Sequence, residues 1–175
     1  MKRGWTTAAL LAVASGGHAC TETEAFGFKL GDPVPHTAAA KQYSGGYVKN
    51  AMGFFEGEVP QPLEGFKHAY GANRDRSFVY AIEAVRPVID LHAPEYDARF
   101  EAARDALIAQ VIALKDSLAE KWGLSFEKDY ESGLSWTANQ GKLSVTVHLL
   151  LGDLRVECAN TELMGKAFGA AMKGL

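Results

Sequence analysis

The spacing of apolar residues over residues 96–122 predicts one long amphipathic helix. These residues recur at intervals of three or four, which places them on one helix face, and two isoleucines widen that face: Phe100, Ala103, Leu107, Ile108, Val111, Ile112, Leu114 and Leu118. Asp97 is a candidate N-cap, and Gly123 stands just beyond the predicted end. About 26 residues make a helix of roughly 39 Å, and so wide an apolar face on a single helix requires a sheet as its partner.

Alternating apolar and polar residues on both sides of this helix predict β-strands. The candidate strands lie at 25–30, 52–59, 66–70 and 77–85 before the helix, and at 124–130, 134–138, 143–151 and 154–158 after it. Within the segment 77–85, we expect the alternating residues to share a face: Phe78, Tyr80, Ile82 and Ala84. The links after the long helix are too short for crossover helices, and residues 161–173 carry one apolar helix face. The expected fold is therefore α+β, an antiparallel meander with one long helix packed on one face and a short C-terminal helix.

The first residues have the layout of a secretory signal peptide. Lys2 and Arg3 precede a short apolar run at 6–14, and small residues then favour cleavage after Ala19, with cleavage after Gly16 as the second choice. The run is shorter than the roughly 20 residues that span a bilayer as a helix, so no transmembrane span is expected. We therefore divide the chain into a signal peptide, 1–19, and a single α+β domain, 20–175, in the periplasm or secreted.

Two cysteines, Cys20 and Cys158, are the only ones in the sequence. An exported chain can join them, and a disulfide that closes a loop this long contributes about 4–5 kcal/mol in the chain-entropy model. One alternative is that Cys158 is a buried free thiol in an apolar strand. Another is a lipid anchor through Cys20, although Gly17 and His18 match the residues before a lipidated cysteine poorly. The lipid anchor and the disulfide exclude each other, because a sulfur that carries lipid cannot form a disulfide.

Composition and charge exclude several classes of protein. With 47% hydrophobic residues and no repeat, the sequence is not typical of a disordered chain. The formal charge is -3, and removal of residues 1–19 would leave 16 basic and 21 acidic residues, a charge of -5. No basic field is present that would attract nucleic acid.

Catalytic motifs are absent from the sequence. The segment 133–137 lacks the final glycine of a nucleophile elbow, and neither phosphate-binding loop pattern occurs. We therefore expect a protein that acts by binding, without a cofactor, as an inhibitor or assembly factor for another envelope or secreted protein. The alternative is that an exposed face of the sheet is the interface of a homodimer.

One cluster offers a metal-dependent enzyme or metal-binding protein as the rival function. Asp90, His92, Glu95 and Asp97 lie within eight residues of one another, and carboxylates with an imidazole can hold zinc. The spacing is not that of an H-x-x-x-H pair or an EF-hand loop. Capping and the helix dipole are the simpler explanation of acidic residues at this place.

Four aromatic residues are candidates for a binding loop. Tyr43, Tyr47, Phe54 and Phe55 lie in and just after the Gly/Pro-rich segment 32–50, and aromatic residues on such loops are typical of recognition surfaces. The alternative is that their rings cover one end of the core. His148 lies among apolar neighbours, so we expect a packed strand residue at that position.

Overall fold

The computed structural model describes residues 20–40, 52–73, 75–90, 96–129 and 134–172, which hold ten strands and two helices. In chain order these are β1 (Glu24–Ala25), β2 (Phe28–Lys29), β3 (Ala39–Ala40), β4 (Met52–Glu56), β5 (Lys67–Asn73), β6 (Val79–Pro87), α1 (Tyr96–Trp122), β7 (Glu127–Lys128), β8 (Ser135–Gln140), β9 (Leu143–Leu150), β10 (Asp153–Asn160) and α2 (Thr161–Met172). The long helix has the bounds that its apolar spacing predicts. Neither helix of these ranges combines the length and the apolar character needed to cross a bilayer.

Eight strands form one antiparallel sheet in the order β3-β4-β5-β6-β10-β9-β8-β7. The sheet consists of two four-stranded meanders, β3 to β6 and β7 to β10, which meet where β6 pairs with β10. The connection between the two halves is α1, which packs against β9. The predicted α+β fold, with one long and one short helix, is confirmed.

The main core lies on the sheet face that α1 covers. Val111, Leu118 and Trp122 of the helix are buried there, together with alternate residues of β9 and β10. Alternation in a strand sends successive side chains to opposite faces, so Leu154, Val156 and Cys158 enter this core while their neighbours point away. Asp97 is the second residue of the helix, so it lies in the first turn and not at the predicted N-cap.

The N-terminal segment differs from the predicted strand at 25–30, because it forms a hairpin. Phe26 and Gly27 have φ angles of 50° and 76° and make the two-residue turn between β1 and β2. The ring of Phe26 is fully buried and makes edge contacts with Trp122 and His68, at centroid distances of 6.2 and 5.3 Å. Burial of an aromatic ring offsets the roughly 1–2 kcal/mol that a left-handed backbone costs a non-glycine residue.

The predicted disulfide between Cys20 and Cys158 is confirmed, with a Cα–Cα distance of 6.0 Å across a sequence separation of 138. Two hydrogen bonds fix the same segment to the sheet. The Asn160 side chain donates to the Glu22 carbonyl at 2.7 Å, and the Lys142 N–H donates to the Glu22 carboxylate at 2.9 Å. The segment is therefore held covalently and by polar contacts at one end of the sheet.

The prediction that Phe78, Tyr80, Ile82 and Ala84 share one face is wrong for Phe78 and Tyr80. Ile82 and Ala84 lie in the main core, but the register of β5 and β6 shifts at Gly71, which faces both Tyr80 and Ala81. A Cβ atom at Gly71 would lie 3.1 Å from the Tyr80 ring and 3.3 Å from the Ala81 Cβ. The bulge therefore moves Tyr80 to the opposite face, where it packs with Ala81, Ala159 and Ala167.

Replacing Gly141 by alanine should destabilise the protein by about 2 kcal/mol. Gly141 has a φ of 59°, and an added Cβ would lie 1.9 Å from the Glu22 carboxylate oxygen. The alanine variant should therefore lose about 1 kcal/mol because of its left-handed backbone and about 1 kcal/mol because the Glu22 hydrogen bond is broken. Gly65→Ala is the matched control, because Gly65 has a φ of 77° and open space around it. Urea unfolding should show a loss about twice as large for Gly141→Ala, and equal losses would contradict this contact.

Candidate binding site

The sheet face opposite α1 carries a cluster of polar side chains, which we call the polar patch: Tyr80, Glu83, His148, Asp153, Arg155 and Glu157. The register of the central strands sets their positions. Glu157 of β10 lies directly opposite Glu83 of β6, and Arg155 lies opposite His148 of β9. Directly opposed residues in antiparallel strands have Cβ atoms about 4.5–5.5 Å apart. The pairing of β6 with β10 therefore brings two carboxylates together from distant parts of the chain.

Helix α2 covers one end of this face. Ala81, Ala159 and Ala167 are buried together there, with Leu163 and Met164 packed against them. Because Gly71, Ala81 and Ala159 are small and lie in one row across the sheet, the helix can approach the strands closely. The polar patch begins in the next row, at Glu83 and Glu157.

Arg155 is the central charge of the patch. Its guanidinium donates to the Glu83 carboxylate and to the Asp153 carboxylate, each at 2.8 Å. The side chains of Arg155 and Glu83 are only 6% and 4% exposed, so this ion pair lies away from water. Buried charges of this kind have to be paired, since desolvation is expensive.

Glu157 has an unusual protonation equilibrium. Burial raises the pKa of its carboxyl to about 7, the adjacent charge of Glu83 acts in the same direction, and Arg155 opposes the shift. The guanidinium is directed at Glu83 and Asp153. Within the described ranges, the Glu157 carboxyl has no hydrogen-bond donor. It therefore exchanges a proton near neutral pH.

The buried polar atoms of the patch that have no hydrogen-bond partner in the described part of the chain include the Tyr80 hydroxyl and Nε2 of His148. Burial, followed by the charges of Glu157 and Glu83, raises the pKa of the Tyr80 phenol, which therefore stays protonated. Burial, followed by the charge of Arg155, lowers the pKa of His148. Buried polar atoms are normally paired, so these two are available to a ligand.

The residues beside the patch do not form a catalytic triad. Asp129 accepts hydrogen bonds from Ser135 at 2.6 Å and from Thr137 at 2.8 Å. Ser135 lies opposite His148 in the sheet, but its hydroxyl proton is directed at the carboxylate. A triad needs the carboxylate on the histidine and the histidine on the serine. Here the Ser135 hydroxyl binds the Asp129 carboxylate directly, so these residues are not arranged as a triad.

The structure describes four of the eight predicted binding and metal residues: Phe54, Phe55, Asp90 and Asp97. Tyr43, Tyr47, His92 and Glu95 lie outside the described residues. Phe54 and Phe55 lie in strand β4 and not on a loop, and Phe55 belongs to the core, with the Arg76 guanidinium 4.5 Å from its ring centre. Asp90 and Asp97 are both exposed. Within the described ranges, no three metal-ligating side chains come together.

A cavity of about 520 Å³ at the ends of β4 and β5 is the strongest competing location. Val59, Phe66, Lys67 and His68 are among its lining residues. The His68 imidazole is already used, because its Nε2 accepts the Leu63 N–H at 3.2 Å, and burial lowers its pKa. The polar patch is the better candidate, because the Tyr80 hydroxyl and Nε2 of His148 have no hydrogen-bond partner in the described part of the chain.

The Tyr80→Phe variant should be more stable than the wild type by about 1 kcal/mol. The substitution removes a buried hydroxyl that has no partner in the described ranges, and leaving such a group unsatisfied costs about 1–3 kcal/mol. Tyr70→Phe is the matched control, because the Tyr70 hydroxyl donates to the Glu58 carbonyl, and its removal should destabilise the protein. Thermal unfolding of both variants tests this, and destabilisation by Tyr80→Phe would mean that the hydroxyl is satisfied within the chain.

No protein-family model, no curated protein and no solved structure matches the chain. A function for the chain therefore has to be argued from its own residues.

Proposed function

We propose that the chain is an exported, non-catalytic protein that binds another envelope or secreted protein through the polar patch. One observation carries the proposal. The patch holds a desolvated ion pair, Glu83 with Arg155, beside buried polar atoms of Tyr80 and His148 that have no hydrogen-bond partner among the described residues. A sheet face that served only as a solvated surface would not bury unpaired polar atoms. Such atoms are costly to the free protein, and a bound partner would satisfy them.

Export is supported by the disulfide. Cys20 directly follows the predicted cleavage position after Ala19, and it is bonded to Cys158. Disulfides persist in oxidising compartments and are rare in the cytosol. We therefore propose a periplasmic or secreted protein from which residues 1–19 are removed. The lipid-anchored alternative would require the sulfur of Cys20 that the disulfide uses.

Site-specific photo-crosslinking in the native host tests the binding function. A photoreactive residue at Thr146, which lies opposite Glu157 on the patch side of β9, should give one discrete protein adduct. The same residue at Gln110, on the exposed surface of α1, should give none. No adduct from Thr146, or the same adducts from both positions, would contradict a partner at the polar patch.

A further inference from the structure

We propose that the polar patch binds a cationic side chain of the partner, an arginine guanidinium or a lysine ammonium, between the Glu83 and Glu157 carboxylates and the Tyr80 hydroxyl. This inference rests on the proposed binding function and names the chemistry of its ligand.

The charge of the patch favours a cation. Two carboxylates, those of Glu83 and Asp153, already pair with the guanidinium of Arg155, and the Glu157 carboxyl adds a further negative charge above pH 7. The nearby imidazole of His148 adds no positive charge at neutral pH, because burial and Arg155 both favour its neutral form. An anionic ligand would meet this excess of negative charge, whereas a cation would offset it.

The geometry supplies acceptors for such a cation. Arg155 is directed at Glu83 and Asp153, so the Glu157 carboxylate remains to accept a hydrogen bond from a ligand. Glu83 stands beside it on the neighbouring strand, and a pair of carboxylates from adjacent strands can hold a guanidinium or ammonium by charge-assisted hydrogen bonds.

Tyr80 is the second, independent observation. The residue is 2% exposed, its hydroxyl has no partner in the described part of the chain, and it lies close enough to Glu83 and Glu157 to be affected by both charges. A hydroxyl can accept a hydrogen bond from an N–H⁺ group. The bulge at Gly71 holds the tyrosine on this face.

Part of the polar patch is exposed to solvent. Glu157 is only partly buried, and the Asp153 side chain is 24% exposed. A cavity of about 150 Å³, lined in part by Lys67, Val85 and Asp153, borders the patch on the same sheet face. A cationic group can therefore reach the proposed site at Glu157, which is partly exposed.

The test is a titration of the disulfide-bonded chain, followed by amide ¹H–¹⁵N spectra at about pH 8, where Glu157 is mostly ionised. The probe is an arginine tripeptide blocked at both ends, and its citrulline isostere is the neutral control. The arginine peptide should shift amide signals of β6 and β10 saturably, and the citrulline peptide should not. Equal shifts from both peptides, or no shifts from the arginine peptide, would overturn the inference.

Three variants sharpen the test. Glu157→Gln should weaken binding roughly 10-fold or more, because it removes a charge-assisted hydrogen bond. Tyr80→Phe should also weaken it while raising the unfolding temperature, which a misfolded variant would not do. Glu127→Gln removes the same charge from an exposed position on β7 and should leave the affinity unchanged. Equal effects of Glu157→Gln and Glu127→Gln would contradict a specific site.

The outcome also separates this inference from the proposed function. If the Thr146 crosslink persists but the arginine peptide does not bind, the partner surface stands and the cationic ligand is wrong. If Ca²⁺ or Zn²⁺ alone gives the β6 and β10 shifts and the peptide does not, the patch is a metal site and the inference fails. If the crosslink is absent, the proposed function itself fails.

Discussion

Replacing Cys20 and Cys158 together by alanine should lower the free energy of unfolding by about 5 kcal/mol. The disulfide spans a sequence separation of 138, and the loss of loop-closure entropy in the unfolded chain grows with loop length to about that value. The effect should be large because the bond also holds Cys20 in the core and keeps the hairpin of β1 and β2, with the Phe26 ring, against Trp122.

Reductant provides the control for this prediction. Urea unfolding of the wild type with and without reductant should reproduce the difference between wild type and double variant, and reductant should not affect the variant. A double variant as stable as the oxidised wild type would contradict a structural role for the bond.

Replacing Glu157 by glutamine should remove a pH dependence and stabilise the protein above neutral pH. The pKa of Glu157 is raised from 4.5 to about 7, chiefly by burial and then by Glu83. Between these values the folded chain keeps a proton that the unfolded chain has released. The contribution of Glu157 to wild-type stability therefore falls as pH rises from 4.5 to about 7, by about 1.4 kcal/mol per pH unit, and is constant beyond it.

The glutamine side chain resembles the protonated carboxyl and does not titrate, so the variant should gain about 3 kcal/mol over the wild type above pH 7, an order-of-magnitude figure. Below about pH 4.5 the two proteins should be equally stable. The groups that act on this carboxyl are Glu83 and Arg155, and Glu127→Gln, at an exposed position, is the control. The measurement is the difference in unfolding free energy at a series of pH values, and parallel curves for wild type and Glu157→Gln would contradict the prediction.

Much of the fold could be predicted because its periodic signals are long and undisturbed. The long helix α1 follows from an apolar spacing that continues over about five turns, from Phe100 to Leu118, and β9 and β10 follow from clean alternation. The turn at Phe26 and Gly27 was missed because a buried phenylalanine with positive φ gives no turn signal in the sequence.

The polar patch could be predicted only in part. Arg155 and Glu157 alternate with Leu154, Val156 and Cys158, so the sequence indicates that both charges point away from the core. Their partner Glu83 lies more than seventy residues earlier, on a strand that pairs with β10 only because α1 returns the chain to the sheet. Tyr80 joins the patch through a bulge, and bulges disturb the alternation on which strand predictions rest.

The residues that we propose bind the ligand also lower the stability of the free protein. Glu157 and the Tyr80 hydroxyl, which has no partner in the part of the chain that the structure describes, each lower the stability of the free protein, and one substitution relieves each cost. Residues that reduce stability in this way are characteristic of sites shaped for a ligand. The polar patch is therefore a better candidate for function than the exposed acidic residues Asp90 and Asp97.

Native mass spectrometry of the protein recovered from the cell envelope without reductant would show export, the disulfide and a bound partner in one measurement. We expect a chain that begins at Cys20, lacks both thiol hydrogens, carries no metal, and is bound to a second polypeptide that Glu157→Gln releases. A lipid-sized increment on Cys20, a bound metal ion, or a chain that retains residues 1–19 and free thiols would contradict this expectation.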